Sequence, residues 1–208
     1  ADNLKTVILK ALETNKTYLE ATQAFYADTK KYNLPYNVAR KEAFLAIGNL
    51  NAAFQRLTQD PKSKQKEFQL IYKIVTLNQT MISAIASIGN FIKNHKTTPA
   101  SKEFNTLVKS ISKNLQVSYD GLNNNETGRS SSQKDVENTP EKLLNKYKKL
   151  SNLRDENIKK GHTELDTDAL HNLQEAFLVA NHMNWLQSLS KSLKKATASY
   201  STPLLEDG

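Results

Sequence analysis

No cysteine occurs anywhere in the 208 residues. That removes disulfides, thiolate zinc sites, iron–sulfur ligation and cysteine nucleophiles at once. Six glycines and five prolines are too few for sandwiches or barrels that turn about every ten residues, and too few for low-complexity disorder. Long apolar runs are missing too. A membrane span needs ~18 consecutive apolar residues. The nearest approach, Met81-Ile82-Ser83-Ala84-Ile85-Ala86-Ser87-Ile88, meets Asn90 and Lys93 and reads as a core helix segment. No signal peptide with a basic start and an apolar centre is present. Gly-x-x-x-x-Gly-Lys, Gly-x-Gly-x-x-Gly and Gly-x-Ser-x-Gly are all absent, so phosphate cradles and nucleophile elbows have no support and neither catalysis nor a cofactor is expected.

Basic charge is plentiful: 29 Lys and Arg against 21 Asp and Glu give a net charge of +8, which favours acidic partners such as anionic lipid, nucleic acid or an acidic protein. Only Arg40, Arg56, Arg129 and Arg154 are arginines, the type suited to bidentate reading of guanine or phosphate. With no cluster of aromatics for stacking either, nucleic acid ranks last among these partners. The charge is also uneven. Residues 61–121 hold nine lysines and three acids, and residues 162–208 hold three lysines and six acids. Either these segments attract one another or one faces an external surface.

Apolar positions recur three or four apart nearly everywhere, which predicts an all-α antiparallel bundle of about six helices. The first helix is expected over 3–32, with Leu4, Ile8, Ala11, Tyr18, Phe25 and Tyr32 on one stripe, broken at Asn33-Leu34-Pro35. Pro35 suits the first turn of a second helix to about residue 58, whose stripe of Ala39, Ala43, Ala46, Leu50, Ala53 and Leu57 lets a neighbouring backbone come close. Asp60-Pro61 opens a third helix to about residue 95, wide in its apolar face and therefore central. Thr98-Pro99 opens a fourth, stopped at Gly121, with Phe104, Leu107, Val108, Ile111, Leu115 and Tyr119 inward.

Residues 122–138 are rich in Asn, Ser and Gly and are expected to form a mobile surface loop between two helical halves, 1–121 and 139–200, of a single domain spanning 1–208. Thr139-Pro140 starts the fifth helix, with Leu143, Leu144, Tyr147, Leu150 and Ile158 inward, up to Gly161. The last begins near Asp166 or Asp168 and turns Leu170, Leu173, Phe177, Leu178, Leu186, Leu189 and Leu193 inward, fading by Tyr200.

His171 and Glu175, four apart on the last helix, form half of a metal site. A carboxylate-bridged bundle needs Glu-x-x-His on two helices, and that motif is absent, so no metal is expected. Asn181 and His182 fall where the last stripe should continue. They predict a polar notch, satisfied by Asn15, Asn49, Asn78 or Gln79 on other helices.

The first hairpin carries the most specific pattern: Asn15-Lys16-Thr17-Tyr18-Leu19, then Tyr36-Asn37-Val38-Ala39-Arg40-Lys41-Glu42-Ala43, then Asn49-Leu50 and Gln55-Arg56-Leu57 before Asp60-Pro61. Over roughly the first 60 residues it resembles the soluble domain of the fusaric-acid-resistance (FUSC-like) inner-membrane proteins, YccS-like branch. In those proteins Asn-x-x-Tyr-Leu is followed by Tyr-Arg-x-Ala-Arg-Arg-x-Ala and an acid-Pro step. Asn37 and Lys41 stand here where the pattern has arginines, leaving Arg40 as its one guanidinium.

The resemblance implies a C-terminal domain at the cytoplasmic face of a bacterial inner membrane, beside a transport path for aromatic acids or toxic compounds. A chain that starts Ala1-Asp2-Asn3 without Met and turns helical at once agrees with a piece cut from a longer polypeptide. The implied partners are its own transmembrane domain, neighbouring protomers and anionic lipid headgroups, each nearby Lys contributing about 1 kcal/mol at such a surface. The implied work is assembly or coupling. Tyr36, Arg40 and Lys41 are the candidate anion or partner contact, with a salt bridge from Arg40 to Asp28 or Glu20 as the structural alternative. A free-standing helical adaptor for an acidic protein is the competing function.

Overall fold

The spacing of apolar side chains becomes helix throughout. The computed structural model describes residues 2–59, 65–124, 139–161 and 167–201. Among the described residues there are six helices and no strand: α1 Asp2–Ala27, α2 Asn33–Thr58, α3 Gln65–Asn94, α4 Lys102–Asn124, α5 Thr139–Lys159 and α6 Thr167–Ser201. The chain is an all-α bundle.

Four helices form the inner body. α1 packs on α3 and α4, and α6 packs on the same two from the far side, closing a ring. α2 lies outside against α1 and α3, and α5 lies outside against α4 and α6. The small stripe of α2 explains its seat: Ala39, Ala43, Ala46, Leu50 and Ala53 are all buried, so α1 comes close along the whole hairpin. α3 turns Ile71, Ile74, Met81, Ile85, Ile88 and Ile92 inward, each at most 2 % exposed, as befits a helix in contact with three others.

Polar rungs cross this core. Asn15 Nδ2 of α1 donates to Asn78 Oδ1 of α3 (3.2 Å), Asn114 Nδ2 of α4 donates to Ser190 Oγ of α6 (3.0 Å), and Gln187 Nε2 of α6 donates to Ser110 Oγ of α4 (3.0 Å). Sliding either helix pair by a turn would leave these buried groups unpaired, at about 1–3 kcal/mol each, so they fix the register.

Several boundaries and faces differ from the sequence reading. α1 ends at Ala27, because the Asp28 carboxylate accepts the backbone N–H groups of Lys30 (3.2 Å) and Lys31 (3.0 Å) and folds residues 28–32 into a turn. α4 starts at Lys102: Ser101 Oγ caps the Phe104 N–H (3.1 Å), while Thr98 is drawn away to α6. Gly121 does not stop α4, which continues to Asn124 because Leu122 is still buried, so 122–124 belong to a helix. The remaining loop expectation over 125–138 and the start at Asp60-Pro61 lie outside the described residues. Gly161, at φ 79°, stands just beyond α5 in the left-handed conformation that suits glycine.

The outer helices depart most. Ile158 is exposed, and Leu144, Tyr147 and Leu150 are only half-buried, because α5 touches α4 and α6 alone. On α6 the inward face runs through Val179, Ala180, Met183 and Leu186, which leaves Phe177 half-exposed beside Tyr147 of α5. The expected polar notch is therefore displaced. Asn181 is exposed, and His182 Nδ1 lies 2.9 Å from the Leu178 carbonyl of its own helix. Asn15 donates to Asn78 Oδ1 instead, and Asn78 Nδ2 donates to the Ile74 carbonyl of its own helix (2.9 Å).

Candidate functional site

The three residues singled out at the start of α2 separate by depth. Tyr36 is buried at 3 % exposure, and its ring stacks on Phe25 of α1, 4.4 Å between centroids and 12° between planes. Tyr18 lies 5.9 Å from it on the other side. Arg40 and Lys41 are exposed. The Arg40 guanidinium sits over the Phe44 ring, 4.9 Å from its centroid, and among the described residues it makes no ion pair. The salt bridge to Asp28 or Glu20 does not form: Glu20 pairs with Lys16 (3.7 Å) and Asp28 holds the turn. Burial pushes the Tyr18 hydroxyl well above its usual range, with Tyr36 raising it further and Arg40 partly opposing.

The first hairpin thus brings the motif residues Tyr18, Tyr36 and Arg40 into one aromatic layer, and places Asn15 one turn away on the α3 contact. Beyond that layer, α2 carries two seams. The inner one, Tyr36, Ala39, Ala43, Ala46, Leu50 and Ala53, alternates steps of three and four and is filled by α1 and α3. The outer one, Leu34, Val38, Lys41, Leu45, Gly48 and Ala52, alternates steps of four and three on the opposite side of the helix, and every member is exposed, Leu34 to 72 % and Leu45 to 54 %. A surface helix ordinarily shows charge there. Steps of three and four summing to seven are the signature of a helix-pairing stripe.

A second constellation lies at the end of the bundle where α3 passes into α4. Glu175 of α6 is 4 % exposed, and its carboxylate accepts the Thr98 N–H (3.1 Å to each oxygen), the Thr98 hydroxyl (2.9 Å) and the Tyr26 hydroxyl of α1. Burial raises the Tyr26 hydroxyl far above its usual range, and the hydrogen bond to Glu175 raises it further. A cavity of roughly 250 Å³ opens beside the carboxylate, walled by Phe104, Leu143, Val179 and Asn172, with Lys146 on its lining. With four hydrogen bonds already accepted, Glu175 acts as a latch that ties the 95–101 connection to α1 and α6. The sequence signal was a carboxylate four residues before Val179 on the buried face of α6, read above as half of a metal site. His171, its supposed partner, is exposed.

Among the described residues no group of three or more His, Asp and Glu could hold a metal ion. No helix of the described residues is long and apolar enough to cross a membrane. No protein-family model, curated protein or solved structure matches the chain.

Proposed function

We propose that this chain is the helical module of a FUSC-like bacterial inner-membrane transporter, held at the cytoplasmic face and serving assembly or coupling. In this reading the transport path, for aromatic acids or related toxic compounds, lies in a membrane domain outside these residues. The observation that carries it is the two-seamed α2: the helix that bears the family-like motif fills one seam with its own bundle and offers the other outward. A helix built for contact on both faces suits a connector better than an enzyme. The working groups are then the outer seam, which includes Lys41, together with exposed Arg40, and the partners are neighbouring protomers, the membrane domain and anionic headgroups.

The test is fractionation of the cells that make the protein, followed with an antibody to this chain. Retention in membranes through an alkaline carbonate wash is the expected result; release into the soluble fraction would contradict the transporter reading. One observation favours a second reading. Lys142, Lys146 and Lys149 are exposed in helical steps of four and three on α5, a surface that fits a soluble adaptor for an acidic protein. Recovery of the chain in the soluble fraction would select it.

A further inference from the structure

Two charges of opposite sign share the cavity beside Glu175. Its walls come largely from α4, α5 and α6, where Phe104, Leu143, Leu150 and Val179 make them mainly apolar. Glu175 and Lys146 are the charged residues of the described lining, and among the described residues neither makes an ion pair. Depth separates them: the Glu175 carboxylate is 4 % exposed, whereas Lys146 stands exposed on α5. The carboxylate is also unevenly used. Its Oε1 accepts the Tyr26 hydroxyl, the Thr98 hydroxyl and the Thr98 N–H, while Oε2 accepts only the second branch of that N–H, at 3.1 Å. A carboxylate oxygen offers about two acceptor positions, so Oε2 keeps one to spare. A buried carboxylate with no cation beside it favours the arrival of one.

We propose that this cavity binds a small zwitterion with an apolar body, its ammonium donating to Oε2 of Glu175 and its carboxylate meeting Lys146. Each part of that molecule answers a feature of the site. The ammonium takes the spare acceptor position and neutralises the buried charge. An inorganic cation would leave the walls of Phe104, Leu143 and Val179 unfilled, and a simple amine would leave Lys146 unmatched and opposing it. The volume, roughly 250 Å³, lies just under the ~300 Å³ at which pockets for drug-sized ligands begin, so the occupant is the size of a single amino acid. Leu150 of α5 is only half-buried, and an occupant packed on it would brace that outer helix. No residue of α2 takes part, so the site stands whether or not the chain serves a membrane protein.

An NMR titration of the 208-residue chain tests this with L-leucine and 6-aminohexanoate, which carry their two charges adjacent and at opposite ends, against hexylamine and hexanoate, which carry one each. At least one zwitterion is expected to bind with a Kd at or below about 1 mM, shifting the amides of 98–101, 143–150 and 172–179. Hexylamine should bind at least roughly tenfold more weakly, and hexanoate not at all. Glu175→Gln keeps an oxygen for Tyr26 and Thr98 but lacks the charge, and should cut zwitterion affinity about tenfold or more. Should that variant lose its fold, Lys146→Ala on the exposed face of α5 decides: it should weaken the zwitterion several-fold and leave hexylamine no weaker. Failure of both zwitterions to bind at about 10 mM would overturn the proposal. So would hexanoate or hexylamine binding as well as the zwitterions, or zwitterion affinity left unchanged by either substitution in the folded chain.

Discussion

The ring of Tyr36 lies flat on Phe25, and its hydroxyl end rests against the backbone of Gly89, locking α2 to both α1 and α3. A methyl at Gly89 would fall 2.8 Å from Cε2 and Cζ of that ring and closer still to the hydroxyl. Because Phe25 and Tyr18 hold the ring from both sides, it has little room to retreat. Gly89→Ala should therefore cost about 1–3 kcal/mol in urea denaturation. The cost should shrink in a Tyr36→Phe background, where the nearest overlapping atom is gone, and a simple sum of the two single effects would show that the contact is not formed.

Glu175 fastens the same end of the bundle through Tyr26, the residue after Phe25 on α1. Glu175→Ala leaves the buried Tyr26 hydroxyl without its acceptor and releases the exposed Thr98 N–H, and should cost about 1–3 kcal/mol. Amide exchange in 95–101 should quicken more than exchange in α2, which does not contact α6. Equal change in both would mean that the carboxylate contributes general stability without acting as a local latch.

The six helices were legible because bulky apolar residues recur at helical spacing, and the inner seam of α2 could be named residue by residue for the same reason. What escaped has a common cause. On α6 the buried face includes Ala180, Gln187, Ser190 and Thr197, small or polar types that read as surface, so the stripe judged by bulk slid round to Phe177. Glu175 was misplaced likewise, since a buried carboxylate is recognised only by the donors that come to it, and Thr98 and Tyr26 lie 77 and 149 residues away. The outer seam of α2 was not marked in the sequence, where the stripe of Ala39, Ala43, Ala46, Leu50, Ala53 and Leu57 drew the eye; the bundle leaves Leu34, Val38 and Leu45 outside it.

High pH should weaken the fold through two tyrosines. Tyr18 and Tyr26 keep their protons in the folded chain well above the usual value of 10.0, whereas the unfolded chain releases them there. The unfolded state binds fewer protons above that point, so stability is complete below about pH 10 and falls as pH rises. The slope approaches 1.4 kcal/mol per pH unit for each group. Denaturant midpoints measured upward from pH 9 should show this loss, and Tyr26→Phe should remove one group's share of the slope; an unchanged slope would mean that Tyr26 ionises freely in the folded chain.

The Asn15–Asn78 rung predicts non-additivity. Replacing either residue alone by Leu leaves the other amide buried without its partner and should cost about 1–3 kcal/mol. The double replacement should cost less than the two single changes together, since no polar group of the pair then remains to satisfy. Thermal unfolding of the three variants decides this, and strict additivity would show that the two amides are not coupled.

The central claim is that these helices work as a connector for a membrane-embedded body. Its most direct test is the intact mass of the polypeptide carrying this sequence, purified from the cells that make it. A mass well above 23.4 kDa, with apolar stretches of ~20 residues in the additional sequence, is the predicted result. A mass of 23.4 kDa, from a polypeptide that ends where this chain ends, would contradict it.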